Sequence, residues 1–136
     1  MNIQAFAAIG LYAFLNSVIL WWIAVKTGQV RARHKVWMGD GGVPHIIRVL
    51  RGHANAIENV PMFFVTMMLG VILGAPVLAV HILGVVFTVG RFLHMLHFMA
   101  EDAPRWQRGI GYGLSFLAWF LAALGVLGHS VMALWA

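Results

Sequence analysis

Arg48, Arg51, Asn55 and Glu58 follow one another at intervals of three, four and three residues. On a helix of 3.6 residues per turn that spacing puts all four on one narrow face. Guanidinium groups and a carboxamide in a stripe are suited to holding carboxylates, by charge and by the planar fork that arginine presents. Arg91 and His94 repeat the arrangement three residues apart, and Arg105 and Arg108 precede Tyr112, one turn beyond Arg108. A cluster of Arg31, Arg51, Arg91 and Arg108 around the one carboxylate of Glu58 is net positive, so its pocket expects an anionic ligand. Glu58 then serves a ligand's ammonium or holds an arginine in place.

The elements that must position these groups are unusually greasy. Of 136 residues, 62% are hydrophobic and 10% charged, whereas soluble domains are about a quarter charged. This composition specifies an all-α integral membrane protein. Apolar segments at Ile3–Val25, Val60–Leu73, Pro76–Leu93 and Gly109–Ala136 each cover most or all of the ~20 residues a bilayer core demands. They predict a four-transmembrane-helix bundle in one domain over residues 1–136. The second segment is short, so its helix begins near Pro44, a residue suited to a first helical turn. Gly74–Pro76 turns the chain into helix three, Glu101–Pro104 breaks before helix four, and Met38–Gly42 closes the longer first loop. The polar stripe is therefore helical. Arg48 sits where a long side chain snorkels to the membrane boundary. Glu58 lies about three turns further in, where a charge costs several kcal/mol unless paired, so it is expected to face the bundle or a wet cavity and meet a cation.

No basic region precedes the first apolar run, and that run is too long for a cleaved signal, so helix one is expected to stay. Lys26, Arg31, Arg33 and Lys35 are assigned to the first loop, and Arg105 and Arg108 border the third. The positive-inside rule puts both loops in the cytoplasm and both termini outside. The net charge of +5 is thus orientation signal and site chemistry, with no nucleic acid to invoke. Without cysteine, any thiol chemistry comes from a small molecule. His94 and His97 have one-turn spacing without a third ligand, so no metal is expected, and His81 with His94 lacks the opposed pair a haem needs. His34, His45 and His129 read as interfacial, as do Trp21, Trp22, Trp37, Trp106 and Trp135. Gly109-x-Gly111 opens a membrane helix and follows no strand, so it reads as helix packing.

"RGHANAIENVPMF" (Arg51–Phe63) resembles the signature of the MAPEG family, membrane-associated proteins in eicosanoid and glutathione metabolism, and "GDGG" before it resembles the family's small bacterial members. "TGQVRARHK" (Thr27–Lys35), "VGRFLHMLHF" (Val89–Phe98) and "RGIGY" (Arg108–Tyr112) resemble its other motifs, in order and across all four helices. The resemblance implies a homotrimer with glutathione bound between subunits toward the cytoplasm, and a lipophilic electrophile arriving from the membrane lipid. It carries glutathione-binding positions onto Arg31, Arg51, Asn55, Glu58, Arg91, His94 and Tyr112, and thiolate stabilisation onto Arg108. Ala54, Phe98 and Gly109 depart from the prostaglandin-synthesising members, which points to a generic glutathione transferase with some peroxidase activity. Two readings compete with it. A small multidrug transporter also has four short helices and an intramembrane Glu, but carries it in helix one, whereas Met1–Val25 is free of Asp, Glu, Lys, Arg and His. The other is a non-catalytic glutathione- or lipid-binding protein.

Reporter tags fused to either terminus are expected to report outside the cytoplasm, because the basic residues crowd the first and third loops. Cytoplasmic reporters would reverse the orientation.

Overall fold

The computed structural model of the chain describes residues 2–135. It consists of α1 (Ile3–His34), α2 (Pro44–Ile72), α3 (Val77–Met99) and α4 (Arg105–Trp135), all long and apolar enough to cross a membrane. The Asn2 side chain caps α1 by accepting from the amides of Gln4 and Ala5 at 3.2 and 3.3 Å, satisfying donors that a helix start leaves free. Pro44 opens α2 as the sequence predicts.

α1 runs past Val25 to His34, so Lys26, Arg31 and Arg33, assigned to the first loop, are helical. Nothing between Val25 and His34 forbids a helix, and 32 residues at about 1.5 Å each exceed the ~30 Å hydrocarbon core, so the basic turns stand beyond it. Lys35 ends α1 with a left-handed φ of 54°, its amide and that of Val36 returning to the carbonyls of Ala32 and Arg31.

α2 and α3 pack together at the centre; α1 lies against both from one side and α4 against both from the other, without α1–α4 contact among the described residues. α3 and α4 form the most extensive pair. α4 buries only Gly111, Ser115, Ala118 and Ala122, a stripe of small side chains that admits the neighbouring backbone. A Cβ on Gly90 would lie 2.7 Å from both the Gly111 carbonyl oxygen and the Ser115 nitrogen, and one on Gly111 would collide with the His94 backbone nitrogen. Gly109, the other half of the motif read as packing, has open space around it and lines a cavity instead.

The core has two apolar parts. One gathers Ala5, Ile9, Phe63, Met67, Val80, Phe87 and Ala118, with the Phe63 and Phe87 rings stacked at 3.7 Å. The other gathers Ile23, Val30, Ile46, Val49, Met95 and Met99 toward the loops that join α1 to α2 and α3 to α4. Between them lies a polar belt. Asn16 donates to the Thr88 hydroxyl at 2.8 Å, and Arg91 donates to Ser115 and Asn55. In a medium without water each belt donor needs a protein partner.

The corner between α3 and α4 is held from α2. Arg48, half-buried, donates through Nε to the Ala100 carbonyl at 3.2 Å and through Nη2 to the His97 carbonyl at 2.5 Å. It binds the end of α3 where the sequence predicts a snorkelling side chain, because the last carbonyls of a helix lack amide partners and attract a cation. His45, read as interfacial, is buried; its Nε2 donates to the Met99 carbonyl at 3.2 Å. His97 Nδ1 donates to the Pro104 carbonyl at 3.2 Å.

Gly111→Ala is expected to destabilise the bundle by about 1–3 kcal/mol, the usual cost of overpacking, since backbone cannot step aside; Gly109→Ala should be silent. Arg48→Met, which strips two carbonyls of a charged donor, is expected to cost about 1.5–3 kcal/mol, and Arg51→Met almost nothing. Thermal unfolding in detergent, followed by loss of the folded chromatographic peak, ranks the four.

Candidate functional site

Beside the α3–α4 corner, between α2, α3 and α4, lies a cavity of about 420 Å³ lined by Arg51, Asn55, His94, Phe98, Arg108, Gly109 and Tyr112. That volume is within the range of pockets that take small molecules, ~300–1,000 Å³. Five of the eight sequence-predicted site residues meet there: Arg51, Asn55, His94, Arg108 and Tyr112. Arg51 and Asn55 come from one face of α2, one turn apart. Arg108 and Tyr112 come from the first two turns of α4, and His94 from the α3 surface against which Gly111 packs.

Phe98 forms an aromatic wall. Gly52 lets it approach α2, since a Cβ there would be 2.6 Å from Phe98 Cβ. The Arg108 guanidinium carbon lies 5.8 Å from the centroid of the Phe98 ring, within cation–π range. His94 packs against Phe98 and Tyr112 with ring centroids 4.9 and 6.0 Å away. Its Nδ1 is buried without a hydrogen-bond partner among the described residues. The polar lining consists of two guanidiniums, a carboxamide, an imidazole and a phenol, with no carboxylate among the lining residues. Arg51, Arg108 and Tyr112 are exposed, so the cavity opens on the flank of the chain.

Three predicted residues lie elsewhere. Arg91 does not line the cavity; it is 1% exposed and sits behind the cavity wall, donating through Nη1 to Asn55 Oδ1 at 2.9 Å and through Nε and Nη2 to Ser115 Oγ at 3.0 and 2.7 Å. Arg91 and His94 share a face of α3, but the long arginine reaches between the helices. Arg31 donates to the Val36 carbonyl at 3.3 Å and closes the α1–α2 corner. Glu58, expected to meet a cation, is exposed on α2; the hydrogen bonds around it run through Asn55, Asn59 and Arg91 and leave it out.

Sequence reasoning missed Ser115, the anchor of Arg91. The available signal was the spacing of Gly111, Ser115, Ala118 and Ala122, which marks the face that α4 turns to its neighbour. Trp119 was also missed; its indole donates to Thr66 Oγ1 at 3.2 Å. Among the described residues no three of His, Asp and Glu converge as a metal would require. His97 is committed to Pro104, and His81 pairs with the Tyr12 hydroxyl at 3.0 Å. A smaller cavity of about 140 Å³ at the other end of α2–α4 is apolar but for Thr66 and His129 and brings no charged group to a ligand.

The sequence has known relatives. The chain is 32% identical to the inner membrane protein YecN of Escherichia coli over 119 residues, covering 88% of this chain and 89% of that one. It is also 32% identical to the prostaglandin E synthase of Rattus norvegicus over 140 aligned positions, covering 93% of this chain and 90% of that protein. The sequence model of the MAPEG family matches residues 9–128, which include α2 and α3 whole, most of α1 and α4, and every residue of the cavity. By that match and by its bundle of four membrane-crossing helices, the chain belongs to the MAPEG family.

Proposed function

We propose that the chain is a membrane-bound glutathione transferase, which holds glutathione as its thiolate and presents it to lipophilic electrophiles dissolved in the bilayer. The observation that carries this reading is the lining of the cavity, where Arg51, Asn55, Arg108 and Tyr112 offer hydrogen-bond donors and no carboxylate competes. A ligand with carboxylates and a weakly acidic thiol matches that lining. The chain has no cysteine, so the sulfur nucleophile is the ligand's.

An ordinary thiol, with a pKa of about 8.5, is mostly protonated at neutral pH. A guanidinium fixed beside the sulfur favours the thiolate. Arg108 fills that role: it is exposed at the cavity mouth and held over Phe98. In conjugation the thiolate forms a sulfur–carbon bond and the leaving group departs with the electron pair. With a lipid hydroperoxide it attacks the terminal oxygen, the O–O bond breaks, and the lipid alkoxide takes a proton to give the alcohol. The glutathione sulfenic acid then condenses with a second glutathione to the disulfide and water. The protein supplies position and fixed charge.

Further supports bear on the assembly. Glu58 is about 21 Å along α2 from Pro44 at ~1.5 Å per residue, and an exposed carboxylate so far within a membrane helix calls for cover. A homotrimer that brings Glu58 to the ammonium of glutathione between subunits meets the need. With both termini outside, the cavity faces the cytoplasm. The transporter reading fares worse, because a cationic drug is repelled by Arg51 and Arg108.

Arg108→Leu is expected to leave part of the glutathione affinity, since Arg51 and Asn55 remain, while the pKa of the bound thiol rises toward its free value. Each unit is worth ~1.4 kcal/mol, so a rise of about two units lowers the thiolate population at neutral pH roughly a hundredfold. Turnover of an aryl halide then falls further than binding, and raising the pH restores part of it. Ultraviolet thiolate absorbance, titrated at saturating glutathione, checks this. Identical titrations with collapsed turnover would move Arg108 to the electrophile or to packing. A wild type that binds glutathione without turnover would be the non-catalytic binder.

A further inference from the structure

The carboxamide of Asn55 has one orientation open to it. Arg91 Nη1 is 2.9 Å from Asn55 Oδ1, and a guanidinium has donors only, so the amide atom turned toward it must be the oxygen. The amide nitrogen is then the end left for the cavity that Asn55 lines. Arg91 cannot swing away to relax this demand. Its Nε and Nη2 both reach Ser115 Oγ, and the serine hydroxyl donates in turn to the Gly111 carbonyl at 2.6 Å. One donated proton and two accepted bonds exhaust a hydroxyl. The guanidinium is also packed 5.7 Å from the centroid of Phe87. Asn59, one turn on, spends its Nδ2 on the backbone carbonyl of Asn55 at 2.7 Å rather than on its side chain.

We propose that Arg91 is a positioning residue that never touches the ligand, and that Ser115, acting through Arg91, fixes Asn55 as an obligate hydrogen-bond donor toward a carboxylate or carbonyl oxygen of the ligand. Asn55 is thereby denied its usual ambivalence. Without Arg91 it could turn either amide atom to the cavity; with Arg91 it selects ligands that present acceptors. The relay crosses all three helices of the cavity, from α4 through α3 to α2. The choice of glutathione as probe rests on the function proposed above; the orientation of the amide does not.

Asn55→Asp separates the two ends of this side chain. It keeps an oxygen for Arg91, now an anionic one, while replacing the cavity's donor by an acceptor. At pH 8 in detergent, the thermal midpoint of Asn55→Asp is expected at or above that of wild type, and that of Asn55→Ala below it. Glutathione affinity by calorimetry should fall at least about tenfold in Asn55→Asp, the scale of a lost charge-assisted bond. Ser115→Ala should weaken glutathione binding severalfold in the wild-type background and not further in Asn55→Ala, the coupling expected of one relay. The inference is overturned if Asn55→Asp binds glutathione like wild type, or if Ser115→Ala has the same effect in both backgrounds. Should wild type fail to bind glutathione at all, the proposed function falls, and the midpoints alone decide the relay. An Asn55→Asp midpoint as low as that of Asn55→Ala would then overturn it, and one at or above wild type would uphold it.

Discussion

The close approach of α3 to α4 at Gly90 and Gly111 is the constraint from which the site follows. Lipid tails are as apolar as leucine, so membrane helices gain little by hiding greasy side chains from one another and much by packing backbone against backbone. Here the approach is tight enough that a single Cβ at either glycine has nowhere to go. It brings Ser115 within reach of Arg91 and sets Tyr112 beside His94. It also sets how the first turns of α4 lie against α3, and so where Arg108 meets Phe98.

The arginines divide by what satisfies them. Arg31 and Arg48 spend their donors on carbonyls at helix ends, and Arg91 on a hydroxyl and a carboxamide inside the bundle. Arg51 and Arg108 keep theirs for the cavity, where both are exposed. The positive cluster read from charge alone, Arg31, Arg51, Arg91 and Arg108, thus consists of two braces and two groups free to hold an anion, with Arg48 a further brace outside it. His45 and His97 belong with the braces. Burial and partners distinguish the two sorts, and net charge does not.

Much of this was legible in the sequence. Pro44 marks a helix boundary because proline suits the first turn of a helix, and the turn at Gly74–Pro76 and the break at 101–104 mark others because each interrupts one. The stripe of Arg51 and Asn55 was legible because residues one turn apart must share a face. What periodicity does not encode is how each helix is rotated against its neighbours. Arg91 and His94 are equally good candidates by spacing, yet one packs inward and the other reaches the cavity. Glu58 continues the stripe of Asn55 by spacing but lies outside the cavity of its own chain. Arg31, read as a loop residue, lies on α1 because the polar end of that helix stays helical, and it donates to Val36.

The buried guanidinium of Arg91 also bears on how the chain is made. During synthesis α3 emerges before α4, and its anchor Ser115 lies 24 residues downstream of Arg91. An arginine near the middle of a lone helix raises the cost of leaving the translocon by about 2.5–3.5 kcal/mol. Asn55, already delivered on α2, offers one acceptor; the rest arrive only with α4. The favourable course is for α3 to linger at the lateral gate until α4 joins it, so that the two partition into lipid as a hairpin with the charge already enclosed.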